Sequence, residues 1–149
     1  ARTDSRSVAG QGERWIAARA HGHPSKGKTT KAILLDVDDT SLATWNYELF
    51  SNWAFNPTTN GQFVTEQRFP AVPGMVALTQ QAAKLGYATA CASDPNGSCT
   101  TIHYKSATRA HIESLGYDIV ANFGDQLSDL KGGFADRTFK LPNPNYFLP

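Results

Sequence analysis

No stretch of this chain stays apolar for the roughly 18 residues that a membrane-spanning helix needs, so the sequence offers no candidate span. An excess of one charge is also lacking, since 14 Lys and Arg stand against 13 Asp and Glu. That balance gives no electrostatic ground for a nucleic-acid or membrane-surface partner. Position 1 is Ala and no signal peptide stands there, so the chain reads as processed or trimmed. Cysteine is scarce, with only Cys91 and Cys99, seven residues between them. Only His103 lies close enough to join them, too few ligands for a structural zinc. A local disulfide across the Pro95-Asn96-Gly97 turn is the expectation, worth about 2–3 kcal/mol in the chain-entropy picture. Such a bond implies an oxidising compartment; the alternative is two buried thiols in a cytosolic protein.

The 149 residues suffice for one domain with a real core, expected to span 1–149. Its organising stretch is Ala32-Ile33-Leu34-Leu35-Asp36-Val37-Asp38-Asp39-Thr40, where a short apolar run ends in three carboxylates and a hydroxyl. The run reads as a buried strand of a parallel sheet, and chemistry collects where such strands end. Asp36 and Asp38 sit two apart, so on extended backbone both leave the same face. Their mutual repulsion calls for a positive partner, and magnesium with its preference for oxygen suits. A solvated Asp-rich turn is the plainer alternative. A helix-loop-helix calcium site is disfavoured, because Ser41 and Tyr47 occupy the positions that need Gly and Glu.

Elsewhere the spacing predicts an amphipathic helix over 7–20, stopped by Gly22 and Pro24. Residues 41–73 carry Trp45, Tyr47, Phe50, Trp53, Phe55, Phe63 and Phe69, with turn formers at Asn56-Pro57 and Asn60-Gly61. This is too long for a plain crossover and reads as an insertion, either a lid beside the carboxylates or a satellite cluster under a loop. A helix is expected over 74–85 between Pro73 and Gly86, a weak strand over 87–90, a helix over 107–115, and a strand over 117–123. A short strand over 137–141 precedes a Pro-rich tail. The order argues an α/β, Rossmann-like, mostly parallel sheet with helices on both faces.

Three pieces then converge on one rim: Asp36-x-Asp38-x-Thr40, Lys105 before a helix, and Asp125-x-x-x-Asp129 after a strand. The set fits phosphoryl chemistry, with a carboxylate nucleophile, a neighbouring acid and base, and cations to offset charge. These motifs, with Phe69-Pro70-Ala71-Val72-Pro73-Gly74 and Thr44-Trp45-Asn46-Tyr47, resemble the haloacid dehalogenase superfamily, more narrowly its secreted class B type acid phosphatases. The resemblance implies a magnesium-dependent phosphomonoesterase acting on a small phosphate ester outside the cell. It implies Asp36 as nucleophile and magnesium ligand, and Asp38 as general acid and base with its backbone carbonyl on the metal. Lys105 would hold the phosphate, Asp125 would ligate the metal, and Thr40 and Asp129 would support. The 41–73 insertion would be a small cap whose Trp45, Tyr47 and Trp53 meet the leaving group.

One departure stands out. The family's second motif, a strand ending in Thr or Ser and usually Gly-Arg, should follow Gly86-Tyr87-Ala88-Thr89, but the chain runs into Ala90-Cys91-Ala92-Ser93. Either a few tens of residues are lacking near 90, which is the expectation, or the chain is shortened and Thr89 or Ser93 deputises. A member that binds phosphate or a partner without turnover is the alternative function.

Overall fold

The computed structural model describes residues 2–91 and 100–147. The elements run α1 (Arg2–Arg19), β1 (Thr30–Leu35), α2 (Trp45–Ser51), α3 (Pro57–Thr65), α4 (Met75–Lys84), β2 (Ala88–Cys91), α5 (Thr101–Ser114), β3 (Tyr117–Gly124), α6 (Leu127–Leu130) and β4 (Thr138–Lys140). The four strands order β2-β1-β3-β4, and every pairing is parallel. This is the α/β sheet expected from the sequence.

Burial on both faces explains the apolar runs. Ala32 to Leu35 and Asp118 to Gly124 are buried without alternation. Ile33, Leu35, Ala121 and Phe123 join Ala9 and Ile16 of α1 and Met75, Leu78 and Ala82 of α4 in one core. Arg109 and Lys105 of α5 instead adjoin Leu34 and Asn122. The β1–β3 register shifts between Ala32 and Ile33, leaving Val120 as an extra residue. Its carbonyl is satisfied by the Trp15 indole at 2.8 Å, so α1 stitches the irregularity that the ladder leaves open. Gly74, at φ +95°, caps α4 where α1 crosses; a Cβ there would lie 2.8 Å from that of Ala9. Only glycine meets both demands.

The insertion leaves the sheet after β1 and returns to the same point. Ala43 N donates to Pro70 O at 2.7 Å and Val72 N to Ser41 O at 2.9 Å. Between those ties, Tyr47 sits 2 % exposed among Phe50, Phe55, Phe63 and Phe69, with ring centres 5.1–6.4 Å away. Asn56-Pro57 begins a helix here instead of making a turn, and Asn60-Gly61 lies inside it. Asn56 accepts from Thr58 N and Thr59 N, with Pro57 in the first turn, the arrangement that starts helices best. The segment expected to be lacking near residue 90 and the Cys91–Cys99 pair lie outside the described side chains. Helix α5 begins at Thr101, six residues earlier than its periodicity suggested, because Thr100 caps it through His103 N.

Candidate active site

Strand β1 ends at Leu35, and Asp36 N still donates to Phe123 O at 3.0 Å, so Asp36 is the first residue past the sheet and beside β3. The chain then closes a tight loop. Ser41 and Leu42 donate their amides to Val37 O, Asp39 N donates to Leu42 O, and Ser41 Oγ donates to Asp36 O. Asp39 takes a left-handed φ of +51°. Its buried carboxylate accepts from Thr44 N at 2.9 Å and Thr44 Oγ1 at 2.7 Å. Asp38 faces solvent on the same loop.

Strand β3 supplies the second half. Gly124 is required by space, since a Cβ would come 2.3 Å from Cβ of Asp129. Asp125, 1 % exposed, accepts from Thr40 Oγ1 at 2.9 Å and from Gln126 Nε2 at 2.8 Å. Asp129 turns back over Gly124 to accept from Gln126 N at 2.7 Å, which also caps the short α6. Lys105 reaches in from α5. Its ammonium lies 2.8 Å from Asp36 Oδ1 and pairs with Asp129 Oδ1.

One ammonium therefore faces two carboxylates, with a third nearby. Carboxylate oxygens of Asp36, Asp125 and Asp129 lie within 4.8 Å of one another. Burial and then the Asp129 charge push the Asp36 carboxyl up to about 7, against the opposing pull of Lys105. Desolvation, Asp39 and Asp125 raise Asp38. Lys105 is held charged, because attraction to Asp36 and bonds to both carboxylates outweigh its burial. Three crowded oxygen donors with one compensating cation are a set that a hard divalent ion would relieve. Both oxygens of Asp129 are engaged, by Lys105 and Gln126 N, and both of Asp125, by Thr40, Gln126 Nε2 and Asn143, so among the described residues Asp36 Oδ2 is the oxygen of this cluster left without a hydrogen bond.

The structure thus brings Asp36, Lys105, Asp125, Asp129 and Thr40 together, and puts the Asp38 carboxyl outside the acidic cluster. Tyr47 does not face a substrate: it is buried, and its hydroxyl is bound to Asn56 N, Asn56 O and Thr59 Oγ1 at 2.9–3.1 Å. Its role as a leaving-group contact is corrected to that of cap core. Trp45 and Trp53 are each 49 % exposed and meet edge to face at 5.4 Å. Trp45 lines a cavity of about 570 Å3 with Asp39, Pro70, Ala71, Pro142 and Asn145, and Trp53 does not. Thr89 pairs with Ile33, three residues short of Asp36 and so about 10 Å back along the sheet. It does not reach the rim.

Sequence reasoning missed three residues. Arg109, 1 % exposed, donates to the carbonyls of Asp129 and Gly133 at 2.7 Å and to that of Lys131. It fixes the loop that carries Asp129, and its place four residues after Lys105 on one helix face was a usable signal. Asn143 Nδ2 donates to Asp125 Oδ2 at 2.7 Å, and Asn145 Nδ2 to Asp39 Oδ2 at 2.9 Å.

A family model described as "HAD superfamily, subfamily IIIB (Acid phosphatase)" matches residues 2–98 and 89–149. The chain is 29% identical over 162 aligned positions to vegetative storage protein 1 of Arabidopsis thaliana, covering 87% of this chain and 60% of the relative. It is 47% identical over 57 residues to acid phosphatase 1 of Solanum lycopersicum, covering 38% of this chain and 22% of that one. The chain thus spans about 60% of the length of the storage-protein relative. Among solved structures, the class C acid phosphatase of Bacillus anthracis superposes with a TM-score of 0.67 at 21% identity, covering 95% of this chain and 79% of that chain. At that identity the likeness speaks for the fold.

Proposed function

From the premise that the chain belongs to the haloacid dehalogenase superfamily, subfamily IIIB acid phosphatases, we propose that it hydrolyses small phosphate monoesters through an aspartyl-phosphate. The observation that carries this is the Asp36–Lys105–Asp129 arrangement, a first-rim carboxylate with one side held by an ammonium. Asp36 Oδ2 takes no hydrogen bond among the described residues and is the oxygen free to attack. In the forward step that oxygen forms a bond to phosphorus while the ester oxygen leaves and takes a proton from Asp38. Asp38, now ionised, removes a proton from water, whose oxygen attacks phosphorus and restores Asp36. The raised Asp38 carboxyl fits a group that must carry a proton first. Lys105 offsets the charge of the transferring group. Asp36 and Asp125 are the residues that would hold magnesium, with the Asp38 backbone; when bound it supplies further positive charge at the phosphoryl oxygens.

The cavity at Trp45 supports a leaving group of apolar character, since its walls are largely Trp45, Ala71, Val72 and four prolines. Secretion and the Cys91–Cys99 disulfide remain part of the same proposal, supported by the cysteine spacing. Residues lacking from this chain are supported by an alignment of 162 positions against a 149-residue chain. The relative therefore carries internal residues that this chain lacks. In the alternative, a true shortening, Ser93 is the hydroxyl left to deputise, and it lies outside the described residues. A purified protein with the 16.2 kDa mass of these residues overturns a lacking segment.

A second reading, a relative that binds without turnover, is favoured by the absent second motif and by the likeness to a storage protein. One experiment separates them: phosphate release from an aryl phosphate with and without magnesium. Magnesium-dependent release supports the phosphatase. No release, with phosphate still bound, supports the second reading.

A further inference from the structure

After β4, Leu141 is fully buried and donates its N–H to Gly124 O at 2.8 Å, so the tail starts from a fixed point on the rim. Pro142 and Pro144 then restrict φ on either side of Asn143. Asn143 Oδ1 accepts from Asn145 N at 2.7 Å and Tyr146 N at 3.4 Å, closing an Asx turn that sets the tail's shape. Gln126 Nε2 donates to Tyr146 O at 3.2 Å as well as to Asp125. From this frame Asn143 donates to Asp125 and Asn145 to Asp39. Both amide orientations are fixed by these partners, because a flip would set oxygen against a carboxylate. Among the described residues, Asn145 Oδ1 is buried without a partner. The bond to Asp39 is therefore what keeps that side chain in place, at the expense of an unsatisfied acceptor.

We propose that the tail 142–146 is a strap across the catalytic rim, with Asn143 and Asn145 as positioning residues for Asp125 and for the loop held by Asp39. The proposal rests on reading Asp125 as a cation ligand. A neutral amide suits this place better than a lysine. It fixes the direction of the Asp125 carboxylate without neutralising it, so its charge stays available to a cation. Asn145 acts on the other half of the site. Asp39 is the left-handed residue of the Asp36–Leu42 loop; its Oδ1 accepts from Thr44 N, and its Oδ2 accepts from both Thr44 Oγ1 and Asn145 Nδ2. The strap thus ties the β1 loop to the β3 end from outside the sheet.

The test compares wild type, Asn143→Ala, Asn145→Ala and the double variant. Magnesium affinity is read by titration calorimetry, and melting is read in chelator. Asn143→Ala is expected to weaken magnesium binding about tenfold, with chelated melting within a few degrees of wild type. The double variant should lose less than the product of the single losses, since both residues hold one strap. Unchanged affinity in Asn143→Ala overturns the strap while leaving the phosphatase reading intact. Absence of magnesium binding in wild type overturns both. Should Asn143→Ala fail to fold, Asn145→Ala carries the test: a several-fold loss of affinity supports the strap, and none overturns it.

Discussion

The rim at the end of β1 and β3 and the cap over 41–73 hold together by opposite means. The rim packs Asp36, Asp125 and Asp129 within reach of one another around a single Lys105. Most of the carboxylate oxygens there are tied to a donor from another element, so the rim is over-determined and self-repelling. The cap instead surrounds one buried tyrosine with four phenylalanines, and Arg68 lies 3.8 Å over the face of Phe63. Residues that do chemistry are held against their own preference by their neighbours, and residues that only fill space are not.

Asp36→Asn should strike the rim hardest. The proposed nucleophile is lost, so turnover should fall by about 10^4 or more. The same change removes one of the crowded charges, so the metal-free protein should melt higher than wild type. Phosphate release and chelated melting read the two effects; retained turnover refutes the nucleophile. Tyr47→Ala should do the reverse in the cap. It empties a space bounded by four phenylalanines and leaves Asn56 without its hydroxyl partner, costing about 3 kcal/mol. Urea denaturation measures it, and a loss below about 1 kcal/mol would mean that the cap does not depend on its tyrosine.

Much of the rim was readable from sequence, because strand ends in a parallel sheet place carboxylates by topology alone. Asp36, Lys105, Asp125 and Asp129 announce themselves by spacing after apolar runs. The strap was not readable. Asn143 and Asn145 stand between prolines in a tail that, as sequence, resembles any polar terminus, and their partners lie 18 and 106 residues away. Neutral amides carry no pattern. The cap was half readable: its aromatics declared an insertion, but Tyr47 and Trp45 look alike in sequence and only packing parts them. Asn56-Pro57 misled for a physical reason, since the same pair that turns a chain also starts a helix.

A smaller effect comes from pH. The folded Asp36 carboxyl lies near 7 and the unfolded one near 3.8, so the folded chain holds this proton more tightly. Its stabilising contribution is complete below about 4 and is lost as pH rises towards 7. Asp38 shifts the same way. The metal-free protein should therefore melt a few degrees lower at pH 7.5 than at pH 5 on account of this site. Magnesium should restore more at pH 7.5, where no proton competes for the carboxylate. Equal magnesium stabilisation at both values would detach the cation from Asp36.

The smallest effect is the finest probe of the cap. Trp45 and Trp53 are equally exposed and touch each other, but only Trp45 lines the cavity beside Asp39. Trp53→Ala should leave stability within about 1 kcal/mol and KM for an aryl phosphate nearly unchanged, since it loses one edge-to-face contact. Trp45→Ala should raise KM several-fold with little change in kcat, because the interaction it removes is with the leaving group before and during reaction alike. If both substitutions raise KM equally, the leaving group rests on the tryptophan pair and not in the cavity. The division between a reactive rim and a filling cap would then have to be redrawn through Trp53.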